Sequence, residues 1–185
     1  MADGKNKDMS ADTFRGMASF GPIVSSAHLA EGGSPALSEI EYGLILASHA
    51  FDRWIVRCMA AAGFPGLSPM EILILHSIRH RDREKKLADI CLVLDIEDTH
   101  VVNYAIRKLQ AAGLLTTGRT GKEKTVKITD NGAEACDTYA DVRRHLLVDP
   151  TASARPAEQT LSETAAILRF ISGAFNQAAR AAATL

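Results

Sequence analysis

Several features that define other classes of protein are scarce in this sequence. Aromatic residues make up only 5% of the 185 residues and tryptophan occurs once, which favours packed helices over a β-sandwich. No apolar run approaches the roughly 20 residues of a membrane-spanning helix. The first ten residues lack the charged-then-apolar pattern of a secretory signal peptide. We therefore expect a soluble cytoplasmic protein.

Cysteine, metal-site and catalytic patterns are also sparse. The three cysteines, Cys58, Cys91 and Cys136, are scattered and odd in number, so neither a disulfide framework nor a Cys-x-x-Cys zinc site is indicated. We interpret Cys58 and Cys136 as buried structural residues rather than redox sensors. His76 and His80 have the spacing of a two-histidine site but no third ligand, so we predict no metal and no other cofactor. Because Gly-x-Ser-x-Gly, phosphate-loop and His-Glu-x-x-His motifs are absent, we do not expect an enzyme.

Charge is distributed unevenly along the chain, whose formal net charge is −1. Residues 79–127 carry 11 Lys or Arg and 7 Asp or Glu, a net charge of +4, which leaves −5 for the remainder. A local basic patch supplies sequence-independent affinity for DNA. Such patches are also common on ordinary solvated surfaces, so the charge alone decides little.

Residues 86–129 contain the most informative pattern. A first amphipathic helix is predicted by apolar residues at i, i+3, i+4 and i+7, namely Leu87, Ile90, Cys91 and Leu94. A second helix follows a short turn and has the same spacing at Val102, Ala105, Ile106 and Leu109. Gly113 suits the left-handed position after its end. A strand beginning at 114–115, a turn over 118–121 and a return strand over 125–128 then form a hairpin. This order predicts a winged helix-turn-helix, which places its second helix in a DNA major groove.

Long helices are predicted on both sides of this motif, over 37–62, 130–148 and 157–183, and a capping box formed by Ser68 and Glu71 begins a shorter helix between them. We divide the chain into a disordered or partner-embracing arm (1–35), an N-terminal dimerisation helix (36–66), the winged helix-turn-helix (67–129) and C-terminal dimerisation helices (130–185). The first and last long helices are too apolar on one face for a small core to cover, so we expect a homodimer. The residues assigned to dimerisation are Leu44, Phe51, Trp54, Leu161, Leu168, Ile171 and Phe175.

Four short motifs resemble the MarR family of bacterial winged-helix transcription regulators. They are Leu87-Ala88-Asp89, the Ile96-Glu97-Asp98 turn, Lys108-Leu109-Gln110-Ala111-Ala112-Gly113-Leu114 and Ile128-Thr129-Asp130-Asn131-Gly132. The resemblance implies a mainly helical fold with a small β-hairpin wing and long dimerisation helices at both ends. It also implies a homodimer that meets successive major grooves of double-stranded DNA, and an unidentified small-molecule effector bound between the arm helices and the DNA-binding lobe.

Candidate DNA contacts follow from the outward positions of the second helix and from the basic wing. Asp98 is the predicted N-cap, and residues just after it lie nearest the bases in this docking mode. Asparagine can pair with adenine and arginine with guanine, while cationic wing residues suit a minor groove or phosphates. The candidates are Lys86, Thr99, His100, Asn103, Tyr104, Arg107, Arg119, Lys122 and Lys124. We thus predict a sequence-specific regulator of transcription, and the alternative is a winged-helix protein-interaction module without specific DNA binding.

Overall fold

The structure is a computed structural model that describes residues 21–185, apart from the side chain of Asp82. It divides into two units, residues 21–149 and residues 150–185, which are described separately. Most of the predicted N-terminal arm, residues 1–20, lies outside the described residues. Within its last part the chain forms a short helix, α1 (Ala27–Glu31). None of the described helices is long and apolar enough to cross a membrane.

The first long helix, α2 (Pro35–Ala61), begins at a proline and ends two residues before Gly63, whose φ of 97° suits glycine. Its C-terminal part supplies Ile55, Cys58 and Met59 to the core. The N-terminal half is largely exposed, with Ile45 and Leu46 about half accessible. α2 therefore anchors in the core by one end only.

The next helix, α3 (Pro69–Arg79), starts with the predicted capping box. Ser68 accepts a hydrogen bond from the Glu71 backbone, and the Glu71 carboxylate accepts one from the Ser68 backbone. Ile72, Ile74, Leu75 and Ile78 are completely buried, so α3 is the central helix of this unit. A short 3₁₀ turn, His80–Asp82, follows it, with Arg81 in the left-handed region at φ 63°.

The helix-turn-helix is formed by α4 (Leu87–Leu94) and α5 (Thr99–Ala111). Their predicted apolar faces are confirmed, because Ile90, Cys91 and all four core positions of α5 are buried. Asp95 ends α4 in the left-handed conformation, which a short polar side chain tolerates, and Gly113 follows α5 at φ 73°.

The wing consists of β2 (Leu115–Thr120) and β3 (Glu123–Ile128), which pair antiparallel. A third strand, β1 (Lys85–Lys86), pairs with β3 opposite Val126 and Thr125. This strand could not be predicted from the sequence, because two residues are too few to show strand periodicity and its partner, β3, is distant in the sequence. The small sheet has the order β1-β3-β2.

After the wing, α6 (Asp130–Arg143) begins at Thr129 and continues through a π-helical turn, Arg144–Val148, to the short α7 (Asp149–Thr151). Cys136 and Tyr139 of α6 join the core formed by α2 to α5 and the sheet. The last helix, α8 (Glu158–Ala182), belongs to the second unit. The predicted mainly helical fold, with a β-hairpin wing and long helices at both ends, is therefore confirmed.

Candidate nucleic-acid interface

α5 presents a polar face to solvent while its apolar face fills the core. Asp98 caps the helix, as predicted, by accepting a hydrogen bond from the His100 backbone at 2.8 Å. Thr99, His100, Tyr104 and Arg107 are exposed, as the helical periodicity requires once Val102, Ala105, Ile106 and Leu109 are buried. The exposed face carries hydrogen-bonding groups and one arginine, the groups that read bases and phosphates.

The wing ends in a two-residue loop formed by Gly121 and Lys122, because Thr120 and Glu123 are the last paired residues. Gly121 has a φ of 64°, a conformation that glycine adopts without strain. The predicted turn over 118–121 is therefore wrong except at Gly121, since residues 118–120 lie within β2 and Gly118 pairs with Thr125. Arg119 and Lys122 remain exposed at the tip, where a cationic side chain can reach DNA.

Two hydrogen bonds connect the wing to α5. The Lys124 ammonium of β3 donates to Asn103 Oδ1 at 3.1 Å, and the Thr117 hydroxyl of β2 lies 3.4 Å from Gln110 Oε1. Asn103 Nδ2 also donates to the Thr99 carbonyl at 3.0 Å. Asn103 and Lys124, two candidate DNA contacts, are thus partly buried and bonded to one another. Their common effect is to fix the wing against the second helix.

Lys86 is engaged at the base of the wing. Its ammonium forms an ion pair with the Glu123 carboxylate at 2.5 Å, and this contact raises the pKa of Lys86. Sequence reasoning did not anticipate the pair, because the two residues meet only through the pairing of β1 with β3. On the same strand Lys85 is buried, and its ammonium donates to the His80 carbonyl.

An ion pair between a buried carboxylate of α3 and α5 was also missed. Glu71 is 2% exposed, and its carboxylate lies 2.8 Å from the Lys108 ammonium in the last turn of α5. Burial acts to raise the pKa of Glu71, but hydrogen bonds from Lys108 and Ser68 outweigh it and hold the pKa below its ordinary value. A glutamate among the isoleucines of α3 was the sequence signal, and it was interpreted only as part of the capping box.

Residues 67–132 of this chain match the family of winged helix DNA-binding domains. This segment has a winged helix fold. Its bounds run from the residue before the capping box of α3 to Gly132 in the first turn of α6. The domain therefore includes the whole helix-turn-helix and all three strands. Among curated proteins, none matches the sequence of this chain.

Over much of its length the chain also shares the fold of solved MarR regulators. NMB1585, a MarR family regulator from Neisseria meningitidis, is 12% identical, with a TM-score of 0.60 over 76% of this chain and 94% of that one. The M. tuberculosis transcriptional regulator MosR in complex with DNA is 15% identical, with a TM-score of 0.55 over 72% and 96%. NadR in complex with 4-hydroxyphenylacetate is 13% identical, with a TM-score of 0.56 over 71% and 91%. The fold implied by the sequence motifs is confirmed.

The residues assigned to dimerisation differ in accessibility. On α2, Phe51 is 50% exposed, whereas Trp54 packs against the core of its own chain. On α8, Leu161, Leu168 and Phe175 are between 37% and 43% exposed, and Ile171 is buried. Leu44 is partly buried. Apart from Trp54 and Ile171, this set retains the accessible apolar surface that a protein partner would cover.

His76 and the cysteine candidates lie in or beside the core, whereas His80 is exposed. Burial lowers the pKa of His76, whose ring meets the Tyr139 ring edge-on at 4.5 Å and whose Nε2 atom has no hydrogen-bond partner. Burial raises the pKa of the Cys58 thiol, and that of Cys136 to about 11. A buried thiol with a raised pKa is poorly reactive. Among residues 21–185 no group of three or more His, Cys, Asp or Glu could hold a metal ion.

A cleft of about 640 Å³ opens beside α3 and α4 within the winged helix domain. Its walls are mainly apolar and include Leu73, Val93 and Leu94. Arg81 of the 3₁₀ turn and Arg83, which follows the turn, also line the cleft. The cleft is therefore a mainly apolar recess with two arginines in its lining, next to the helix that precedes α5.

Proposed function

We propose that this protein is a sequence-specific DNA-binding regulator of transcription of the MarR type. The observation that carries the proposal is the exposed polar face of α5 beside a basic wing that is hydrogen-bonded to it. In winged helix proteins the second helix of the motif enters the major groove, and the wing contacts the adjacent minor groove or phosphates. The DNA complex of MosR, a protein of the same fold, supports this assignment.

The contacts of this docking mode can be divided by chemistry. Thr99, His100 and Tyr104 supply hydrogen-bonding groups at the beginning and middle of α5, and Arg107 supplies a cation one turn further on. Arg119 and Lys122 supply positive charge from the wing tip. Lys86, Asn103 and Lys124 already have protein partners, so they support the geometry and contribute to DNA contacts only by exchanging those partners.

A homodimer is part of this proposal. α2 exposes Ile45, Leu46 and Phe51, and α8 exposes Leu168 and Phe170, large apolar side chains of the kind that a partner subunit covers. Two copies related by a two-fold axis would cover such surfaces and present two recognition helices about one DNA turn apart.

A small-molecule effector is the third part of the proposal. NadR has been solved with 4-hydroxyphenylacetate, and the cleft beside α3 and α4 is within the roughly 300–1,000 Å³ of ordinary ligand sites. The resemblance of the motifs implies an effector between the arm helices and the DNA-binding lobe, whereas this cleft lies within the winged helix domain. An effector that lowers or raises promoter affinity should lose that effect when Leu73→Trp fills the cleft.

The central experiment measures DNA binding by fluorescence anisotropy over a salt series, with promoter fragments as probes. Arg119→Ala/Lys122→Ala removes two cations from the wing tip, and Arg169→Ala/Arg180→Ala is the control that removes the same charge from exposed positions of α8. Each lost phosphate contact lowers the slope of log K against log salt by about 0.9. We expect a slope lower by up to about 2 in the wing variant and an unchanged slope in the control.

Two results would contradict the proposal. If the wild type shows no salt-dependent binding to DNA, the proposed DNA-binding function is wrong. A clean dimer in the same samples would then favour the alternative, a winged-helix protein-interaction module. Equal slopes in the wing variant and the wild type would remove the wing from the DNA interface.

A further inference from the structure

Glu71 is an ionisable residue in the interior of the winged helix domain, where carboxylates are rare. It lies in the first turn of α3, is 2% exposed and neighbours the completely buried Ile72. One carboxylate oxygen accepts a hydrogen bond from the Ser68 backbone at 2.9 Å, which completes the capping box. A carboxylate this deeply buried requires charge compensation as well.

The compensating charge comes from the DNA-facing helix. The other carboxylate oxygen of Glu71 lies 2.8 Å from the ammonium of Lys108, whose side chain is 43% exposed. The same ammonium lies 5.9 Å from the centre of the Tyr104 ring, within the range of a cation–π contact. Lys108 thus joins a buried group of α3 to an exposed aromatic residue of α5 that is a candidate DNA contact.

The ion pair between Glu71 and Lys108 is a directional interaction in an otherwise apolar contact between α3 and α5. The buried apolar face of α5 attaches the helix to the core through Val102, Ala105, Ile106 and Leu109. Apolar burial is not directional, so these residues resist rotation of the helix only through their packing. A salt bridge with one buried partner and a fixed capping geometry favours one rotation of α5 over others. The bonds from Asn103 and Gln110 to the wing restrain the opposite side of the helix.

We propose that Glu71 is a positioning residue for DNA recognition, which holds α5 through Lys108 in the rotation that presents Thr99, His100 and Tyr104 to the bases. The inference rests on the proposed function, since it concerns how the same helix reads DNA. Its consequence is that specific binding depends on a carboxylate that never touches the DNA.

The test uses Glu71→Gln, because glutamine can still accept the hydrogen bond of the capping box and preserves the beginning of α3. The substitution removes a negative charge from the DNA-binding domain, so electrostatics alone would tighten binding to any DNA. Loss of positioning weakens binding to the specific site instead. Because the two effects have opposite signs, the direction of the change separates them.

Glu97→Gln is the matched control, since it removes an equal charge at an exposed position in the turn before α5. Affinities are measured for a promoter probe and for a scrambled probe, well below the melting temperature of each variant. For Glu71→Gln we expect promoter affinity to fall about tenfold, comparable to losing one base contact, with unchanged or higher affinity for the scrambled probe. For Glu97→Gln we expect equal or higher affinity for both probes.

Glu71→Gln/Lys108→Gln provides a second test at unchanged net charge, and remains informative if the single variant folds poorly. We expect it to lose promoter affinity to a similar extent. If the wild type selects the promoter and both variants select it equally well, the inference is overturned while the proposed function stands. If the wild type does not distinguish the two probes, the proposed function itself fails.

Discussion

Gly132 lies in the first turn of α6, just after the wing, where there is no room for a side chain. A Cβ atom built at this position would lie 2.2 Å from the carbonyl oxygen of Leu114 and 2.9 Å from a side-chain carbon of Ile128. The Leu114 carbonyl is itself fixed, because it accepts a hydrogen bond from the Thr129 backbone at 3.1 Å. Gly132→Ala must therefore displace backbone atoms at the junction between α5 and the sheet.

The expected loss of stability combines two opposing contributions. Forcing a methyl group into a packed site typically costs about 1–3 kcal/mol, and more when the obstacle is backbone. Replacing a helical glycine by alanine returns up to about 1 kcal/mol of helix propensity. Disruption of the hydrogen bond to the Leu114 carbonyl costs about 1 kcal/mol and offsets that gain. We expect a net destabilisation of roughly 1–3 kcal/mol, which lowers the melting temperature by roughly 2–12 °C.

Thermal unfolding followed by circular dichroism measures this difference, and Gly43→Ala is the matched control. Gly43 also lies inside a helix, but no atom lies within 4 Å of a Cβ built there. The control should leave the melting temperature unchanged or raise it, since only helix propensity acts. Equal melting temperatures for Gly132→Ala and the wild type would refute the steric explanation of this glycine.

Two further predictions concern the core and the exposed helices. Burial lowers the pKa of His76 from its ordinary value of 6.5, so the unfolded chain binds the proton more readily than the folded protein does. The free energy of unfolding therefore has its full value above about pH 6.5 and declines as the pH falls towards the lowered pKa of the folded protein. His76→Phe keeps a ring against Tyr139 and removes the unpaired Nε2 atom. The melting temperature of this variant should equal or exceed that of the wild type at pH 7, and it should fall less between pH 6.5 and 5.5. Parallel pH profiles of the two melting temperatures would contradict this. Phe51→Glu places a charge on the exposed apolar surface of α2. In analytical sedimentation the variant should shift from a dimer towards the 19.9 kDa monomer, because a charge is costly to bury in an interface. An unchanged mass would exclude this surface from the dimer interface.

The winged helix-turn-helix was predictable because its signals are local. Apolar spacing on α4 and α5, the capping box at Ser68 and the glycine after α5 each depend on a few neighbouring residues. Helix bounds were predicted to within a few residues, as for α2, expected over 37–62 and observed as Pro35–Ala61. The roles assigned to dimerisation and DNA contact remain predictions.

The details of the candidate interface were less predictable, because they depend on which charged groups meet. Lys86 and Glu123 are 37 residues apart, as are Glu71 and Lys108, and nothing near either residue indicates its partner. Asn103 was correctly placed towards the polar side of α5, yet its amide is bonded to Lys124 of the wing. Helical periodicity predicts the direction of a side chain but not which long-range group it contacts.

The sequence by itself therefore determined the helices, their buried faces and the order of motif and wing, because backbone hydrogen bonds and the burial of apolar stripes act over one or two turns. Only the tertiary structure decided that Lys85 and Lys86 form a strand, that Glu71 is buried against Lys108 and that Gly132 touches the Leu114 carbonyl. These contacts require distant segments to be brought together, and that happens only when the core of α2, α3, α5 and α6 is assembled.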